Sequence, residues 1–243
     1  LDKSDISLKD MLSHYARLRP WIPFYEETLN RKEKPKSRFY KKKQRKRFST
    51  VVSNNLFLKN KYQEDIFDLI ISSELRDTLE FKYSDLPFYL IKYWIEDKYQ
   101  EGLDVLAHKR IFQKLNLKNT MFNPFQKISI DNVVPSEKDE FFRYGKLQGY
   151  VHDEGAAMLG GVSGHAGLFS NSYEVALMLQ TFLQGGVYDG VRLFDKESFD
   201  LFNYCYYCDK GNRSGAGFDK PQLEGKHGST FGGVSKKSFG HYG

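Results

Sequence analysis

The chain has 243 residues, 40% hydrophobic and 28% charged, which is long enough for one large core or two small ones and too apolar for a disordered chain. No run approaches the roughly 18 uninterrupted apolar residues that a membrane-spanning helix needs, and Leu1 opens into "LDKSDISLKDML" with no basic-then-apolar leader. The net charge of +6 is local: residues 31–47, "RKEKPKSRFYKKKQRKR", hold eleven Lys or Arg and one Glu, and the remainder is net acidic.

In chain order, "SLKDMLSHYARL" puts Leu8, Met11, Leu12 and Tyr15 on one helical face, with Ser7 placed to cap the first turn. The basic segment, beside Pro35 and Ser37, reads as a solvated loop, with phosphates or another anionic surface as the alternative contact. Only Phe39 and Tyr40 interleave it, too few for a base-stacking platform, so no nucleic-acid partner is expected. "KYQEDIFDLIISSEL" predicts a helix with Ile66, Phe67, Leu69, Ile70 and Ile71 on a broad face. "PFYLIKYWIEDKYQ" predicts the next, beginning near Leu86 with Pro87 in its first turn. Tyr83, Ser84 and Asp85 then fall in the turn leading into that helix, where side chains can face a cleft and backbone N–H groups are free.

"GLDVLAHKRIFQKLNLKNT" predicts a further amphipathic helix, and "NSYEVALMLQTFLQGG" one that runs from an Asn/Ser cap to Gly185-Gly186. Between them, residues 155–170, "GAAMLGGVSGHAGLFS", imply tight turns and close backbone approach. No Gly-Lys-Ser/Thr follows to make a phosphate loop, and His165 stands where a nucleophile elbow around Ser163 needs glycine. From Gly215 onward the glycine-rich remainder reads as strands and loops near a sheet edge. Cys205 and Cys208 form a lone C-x-x-C; His227 and His241 are too distant to complete a zinc site of finger type. Two ordinary thiols are the plain reading, a disulfide or half a metal site the alternatives. No metal or cofactor is expected.

Several segments, in this order, resemble one family. "ISLKDMLSHYARLRPWIPFY" is similar to the helix and loop that follow the nucleophile in class C β-lactamases and related penicillin-binding proteins, and "YSD" resembles their Tyr-x-Asn motif. "IFQKLNLKNTMF" resembles a helix-end signature, "GYVHDEGAAMLGGVSGHAGLFSN" closely resembles the β-lactamase-related serine hydrolases, and "FGHYG" resembles the third motif, Lys/His-Thr/Ser-Gly. Some members are fused to a family 3 glycoside hydrolase. The resemblance implies an α/β (α+β) serine-hydrolase domain: an antiparallel sheet flanked by helices, with a mainly helical subdomain carrying the Tyr83 triplet. Residues 1–243 would be the central part of that one domain.

The implied chemistry is hydrolysis of an amide or ester through an acyl-serine, on peptidoglycan-derived peptides or a β-lactam, in the periplasm or otherwise outside the cytoplasm. Such acyl transfer needs a base for the serine proton, an acid for the leaving group and N–H donors for the oxyanion. By the resemblance Tyr83 is the proton shuttle, Asp85 orients lysine and substrate, and His241 forms a cationic or hydrogen-bonding wall. Ser84, His152, Asp153, Tyr242 and Gly243 are its substrate-contacting candidates. A tyrosine of ordinary pKa, about 10, acts as a base near neutrality only beside cations, and no serine here is followed by lysine three places on. The resemblance implies that this Ser-x-x-Lys precedes residue 1 and that the third-motif strand continues past Gly243. Asp85 stands for the usual Asn, and Tyr242 for a small hydroxyl residue. From the residues alone, His152–Asp153 equally suit a turn-stabilising pair and His165 a structural role. The rival reading is a non-catalytic relative that binds cell-wall fragments.

Overall fold

The computed structural model describes residues 3–221 and 234–241. In chain order its elements are α1 (Leu8–Leu12), β1 (Tyr40–Lys41), β2 (Thr50–Ser53), β3 (Leu56–Leu58), α2 (Tyr62–Ser72), α3 (Leu86–Tyr99) and α4 (Leu103–Ala107). They continue as β4 (Met121–Phe122), β5 (Glu137–Asp139), β6 (Gly145–Leu147), α5 (Glu154–Met158), β7 (Leu168–Phe169), α6 (Ser172–Leu183), β8 (Val187–Tyr188), β9 (Val191–Arg192) and α7 (Lys196–Asn203). The class is mixed α and β. All strand pairing among the named elements is antiparallel, in one three-stranded sheet of order β1-β3-β2 and three two-stranded ladders, β4-β7, β5-β6 and β8-β9.

The helices that periodicity placed are present, two of them cut short, while α5, in a stretch read as tight turns, and α7 were not foreseen. Ser7 caps α1, its hydroxyl oxygen accepting the Asp10 N–H at 3.1 Å. The helix ends after Leu12 because His14 adopts φ 54°, a left-handed conformation that closes a helix. Leu12, Tyr15, Ala16 and Leu18 are all buried, so the segment beyond is enclosed and its backbone follows its neighbours. The helix predicted over 102–120 is α only to Ala107, then a π-helical turn, His108–Phe112, and it ends before Asn116 at φ 55°. Gly185 and Gly186 stop α6 with positive φ, as the sequence predicts.

The chain divides into two compact units, Leu1–Pro20 with Ser73–Pro87 and Met178–Gly243, and Trp21–Ser72 with Phe88–Leu177. In the first, a ring cluster of Phe182, Phe194, Phe199, Phe218 and Phe239 forms an aromatic core. Tyr15 stacks on Tyr207 at 4.1 Å, and Tyr207 donates its hydroxyl to Asp10. Cys205 and Cys208 are joined as a disulfide, so the plain two-thiol reading gives way to its alternative.

In the second unit α5 packs on β2, and Val52, Leu58, Ile66, Ile70, Phe142 and Met158 are at most 1% exposed. The buried Arg143 guanidinium organises one side of this core. It donates to Asp139 at 2.6 Å, to Glu137 at 3.1 Å and to the carbonyls of Val151 and His152. With each of the three guanidinium nitrogens directed at an oxygen, a charge that would be costly to bury alone is compensated. The basic segment also belongs to this unit and is folded: it contains β1, whose buried Tyr40 shares a hydrogen bond with Thr28 at 2.8 Å and packs edge-on to Phe142.

Candidate active site

Tyr83 is held in the first unit by a backbone register. The segment before α3 runs beside the turn after α1: Lys82 N–H donates to His14 O at 3.0 Å, and Asp85 N–H to Pro20 O at 2.9 Å. Ser84 locks the turn. It is buried, its hydroxyl donates to Arg19 O at 2.6 Å, and its oxygen accepts the Leu86 N–H that opens α3. Both roles of that hydroxyl are therefore taken by backbone. Tyr83 is left 42% exposed, and the Asp85 carboxylate acts on its phenol electrostatically.

His241 reaches the same place from the far end of the chain. Asp219 and Gly240 exchange both backbone hydrogen bonds, at 2.7 and 3.1 Å, and this bridge delivers the next residue, His241, to the Tyr83 ring with centroids 5.9 Å apart. A third ring completes the group. His14, 4% exposed, lies 4.4 Å from the Tyr83 ring centroid, and its Nδ1 accepts the Ser84 N–H at 3.2 Å. An acceptor Nδ1 fixes the imidazole as the neutral Nε2–H tautomer. Burial and then the neighbouring His241 push the His14 pKa down to about 4, only partly opposed by Asp219.

The electrostatics of Tyr83 run opposite to those of a resting base. Burial, then the charges of Asp85 and Asp219 push its pKa up to about 12. Tyr83 therefore holds its proton at neutrality more tightly than a free phenol does. A cation within a few ångströms would be needed to reverse this.

His152 and Asp153 belong to the second unit. The His152 side chain is largely exposed, 3.6 Å from Glu137, and its carbonyl is one of the Arg143 acceptors. Asp153 caps α5 by accepting the Ala156 N–H at 2.6 Å and accepts His165 Nε2–H at 2.9 Å; His165 Nδ1 accepts the Ser163 hydroxyl at 2.9 Å. The buried His165 stacks under Tyr89 at 4.2 Å. This Asp–His–Ser chain has the connectivity of a proton relay, but Ser163 is 3% exposed, so the chain acts as a brace between the cap of α5 and the glycine turn. Tyr242 and Gly243 lie outside the described residues. Among the described residues no group of three or more His, Cys, Asp or Glu is arranged to hold a metal, and no helix is long and apolar enough to cross a membrane.

Sequence reasoning missed His14 and Asp219. The only local sign of His14 was a polar residue following the capped apolar run; its ring partners and the Ser84 amide are 67 and more positions away.

The sequence has curated relatives. Over 132 residues it is 36% identical to a protein of Escherichia coli K12 provisionally named a D-alanyl-D-alanine carboxypeptidase, and equally to the N-acetylmuramyl-L-alanine amidase of Bacillus subtilis 168. Each match covers 49% of this chain and 30% of the relative, so the chain spans under a third of the length of the curated relatives it matches. No family model matches the chain. Solved structures similar to it include a protein of Bacteroides dorei DSM 17855 provisionally titled a β-lactamase, with a TM-score of 0.46, 13% identity and cover of 82% of this chain and 42% of that one. Another is the D-amino acid amidase of Ochrobactrum anthropi SV3 complexed with L-phenylalanine, with the same TM-score and identity and cover of 81% and 48%.

Proposed function

We propose that this chain is part of a serine hydrolase that opens an amide or ester of a peptidoglycan-related peptide through an acyl-serine intermediate, outside the cytoplasm. The observation that carries the reading is the meeting of two motifs 158 residues apart, the Tyr83 ring with the Asp85 charge acting on its phenol, and the His241 ring 5.9 Å from it. The names of the relatives, two kinds of peptidoglycan amide cleavage, support the substrate class.

In this reading the nucleophile is the serine of a Ser-x-x-Lys segment. A lysine brought beside Tyr83 lowers its pKa, so that the phenol oxygen takes the proton of the serine as that serine attacks the carbonyl, and Asp85 orients the phenol. Tyr83 then gives that proton to the leaving nitrogen or oxygen as the tetrahedral adduct collapses, and in deacylation it takes a proton from the attacking water and returns it to the serine. His241 walls the site and offers an N–H to the substrate. His14 acts on Tyr83 indirectly: it fixes the ring and the Ser84 amide, and so the direction of the phenol.

The raised pKa of Tyr83 is also what a non-catalytic relative binding wall fragments would show, so the test must separate the two. Acylation by a fluorescent penicillin is measured in the full-length protein and in its Tyr83→Phe form. Loss of the positioned acid–base lowers the acylation rate by roughly 10²- to 10⁴-fold. Equal rates return Tyr83 to packing, and absence of any adduct together with retained binding of wall fragments favours the binder.

A further inference from the structure

The segment holding the chain's excess positive charge is a built surface. Nine of the eleven cations in residues 31–47 are exposed, including the run Lys42, Lys43, Arg45, Lys46 and Arg47. Among the described residues none of the eleven has an ion-pair partner. Like charges at this density repel one another, so the fold carries an electrostatic cost that a counter-charge from outside would relieve.

The backbone beneath these side chains is fixed. Asn30 Oδ1 accepts the N–H groups of Lys32 and Lys34 at 2.8 and 3.2 Å, and Tyr40 and Lys41 pair with Leu58 and Phe57. The turn carrying the later cations is closed by the Arg45–Phe48 bridge and by Asn60, which donates its side-chain amide to Lys46 O at 3.2 Å and its backbone N–H to Arg47 O at 3.1 Å. The backbone ordering that an anionic ligand would otherwise have to impose is thus complete before it arrives.

Two features narrow the partner. The ring faces that could stack on bases are covered: Arg38 lies over Phe39, which packs on Tyr62, and Lys41 lies over Phe48. No large apolar side chain in residues 31–47 is exposed for insertion into a lipid surface. What the surface offers a partner is therefore charge. We propose that residues 31–47 form a docking surface for a phosphate-bearing polymer attached to peptidoglycan, which would hold the hydrolase on its substrate. The choice of that polymer rests on the function proposed above.

The test is co-sedimentation of the chain with purified cell walls that keep their phosphate polymer and with the same walls after the polymer has been stripped, with duplex DNA and anionic vesicles as competitors. The chain sediments with polymer-bearing walls and not with stripped ones. Four engaged phosphates, at about −0.7 in log K per unit log salt for each as in a flexible single strand, give about a 50-fold loss of affinity between 50 and 200 mM salt. The combined change Lys42→Glu, Lys43→Glu, Arg45→Glu and Lys46→Glu abolishes sedimentation, and the four glutamine substitutions weaken it, with thermal unfolding no lower than wild type because these side chains are exposed and their mutual repulsion is relieved. Equal sedimentation with stripped walls, or wall binding by the glutamate variant, overturns the proposal. Preferential displacement by duplex DNA or by vesicles at equal phosphate overturns it in favour of that partner. Binding to the polymer without penicillin acylation of the full-length protein would sink the enzymatic reading and leave the docking surface; acylation without polymer binding would sink the surface alone.

Discussion

Acid should weaken this fold through one buried imidazole, and the size of the effect follows from the site. His14 is neutral in the folded chain, with a pKa near 4 set by burial and by His241, whereas an unfolded histidine titrates near 6.5. Below pH 6.5 the unfolded chain takes up a proton that the folded chain refuses. Stability is therefore intact above about pH 6.5 and is lost as pH falls from there toward 4. Linkage puts the loss from this one group at about 2 kcal/mol between pH 7 and 5, and about 3 kcal/mol by pH 4.

Depressed carboxylates such as Asp139 and Asp153 also weaken the fold in acid, so the measurement is a difference. His14→Asn is the reference, because asparagine tolerates the left-handed backbone at φ 54° and its Oδ1 can accept the Ser84 N–H, but it does not titrate. Urea unfolding of both forms at pH 5, 6, 7 and 8 should show wild type losing about 2 kcal/mol more than His14→Asn between pH 7 and 5. Parallel pH curves would refute the claim that His14 is held neutral by its surroundings.

Arg143→Leu leaves Asp139 buried without its cation and should cost about 3–5 kcal/mol in urea unfolding, with much of that recovered by the double change Arg143→Leu, Asp139→Leu; an unchanged single variant would show that the pair contributes nothing. At Gly164 an added Cβ would meet the Phe88 carbonyl oxygen at 2.5 Å, so Gly164→Ala should lower stability by about 1–3 kcal/mol by calorimetry, and an unaltered transition would contradict the close approach.

The local elements were legible because each rests on neighbours in sequence. Ser7, Pro87 and the Gly185-Gly186 pair marked helix ends through capping, a fixed φ and a free positive φ, and these work within one turn. The same kind of signal, an aspartate three residues before the N–H it accepts, stood unread at Asp195 before α7. Residues 31–47 read as loop because β1 is two residues long and exists only through its pairing with β3, 16 or more positions on. Tyr83, Asp85 and His241 were singled out by motif order, yet the state of Tyr83 was beyond the sequence. A phenol's proton affinity is set by how much water and which charges lie within a few ångströms, and Asp219 comes that close only once the backbone bridge to Gly240 has formed. His14 shows the limit most plainly. Its identity is local, but its neutrality and its grip on the Ser84 amide come from burial against residues 67 and more places away, and burial belongs to the folded chain alone.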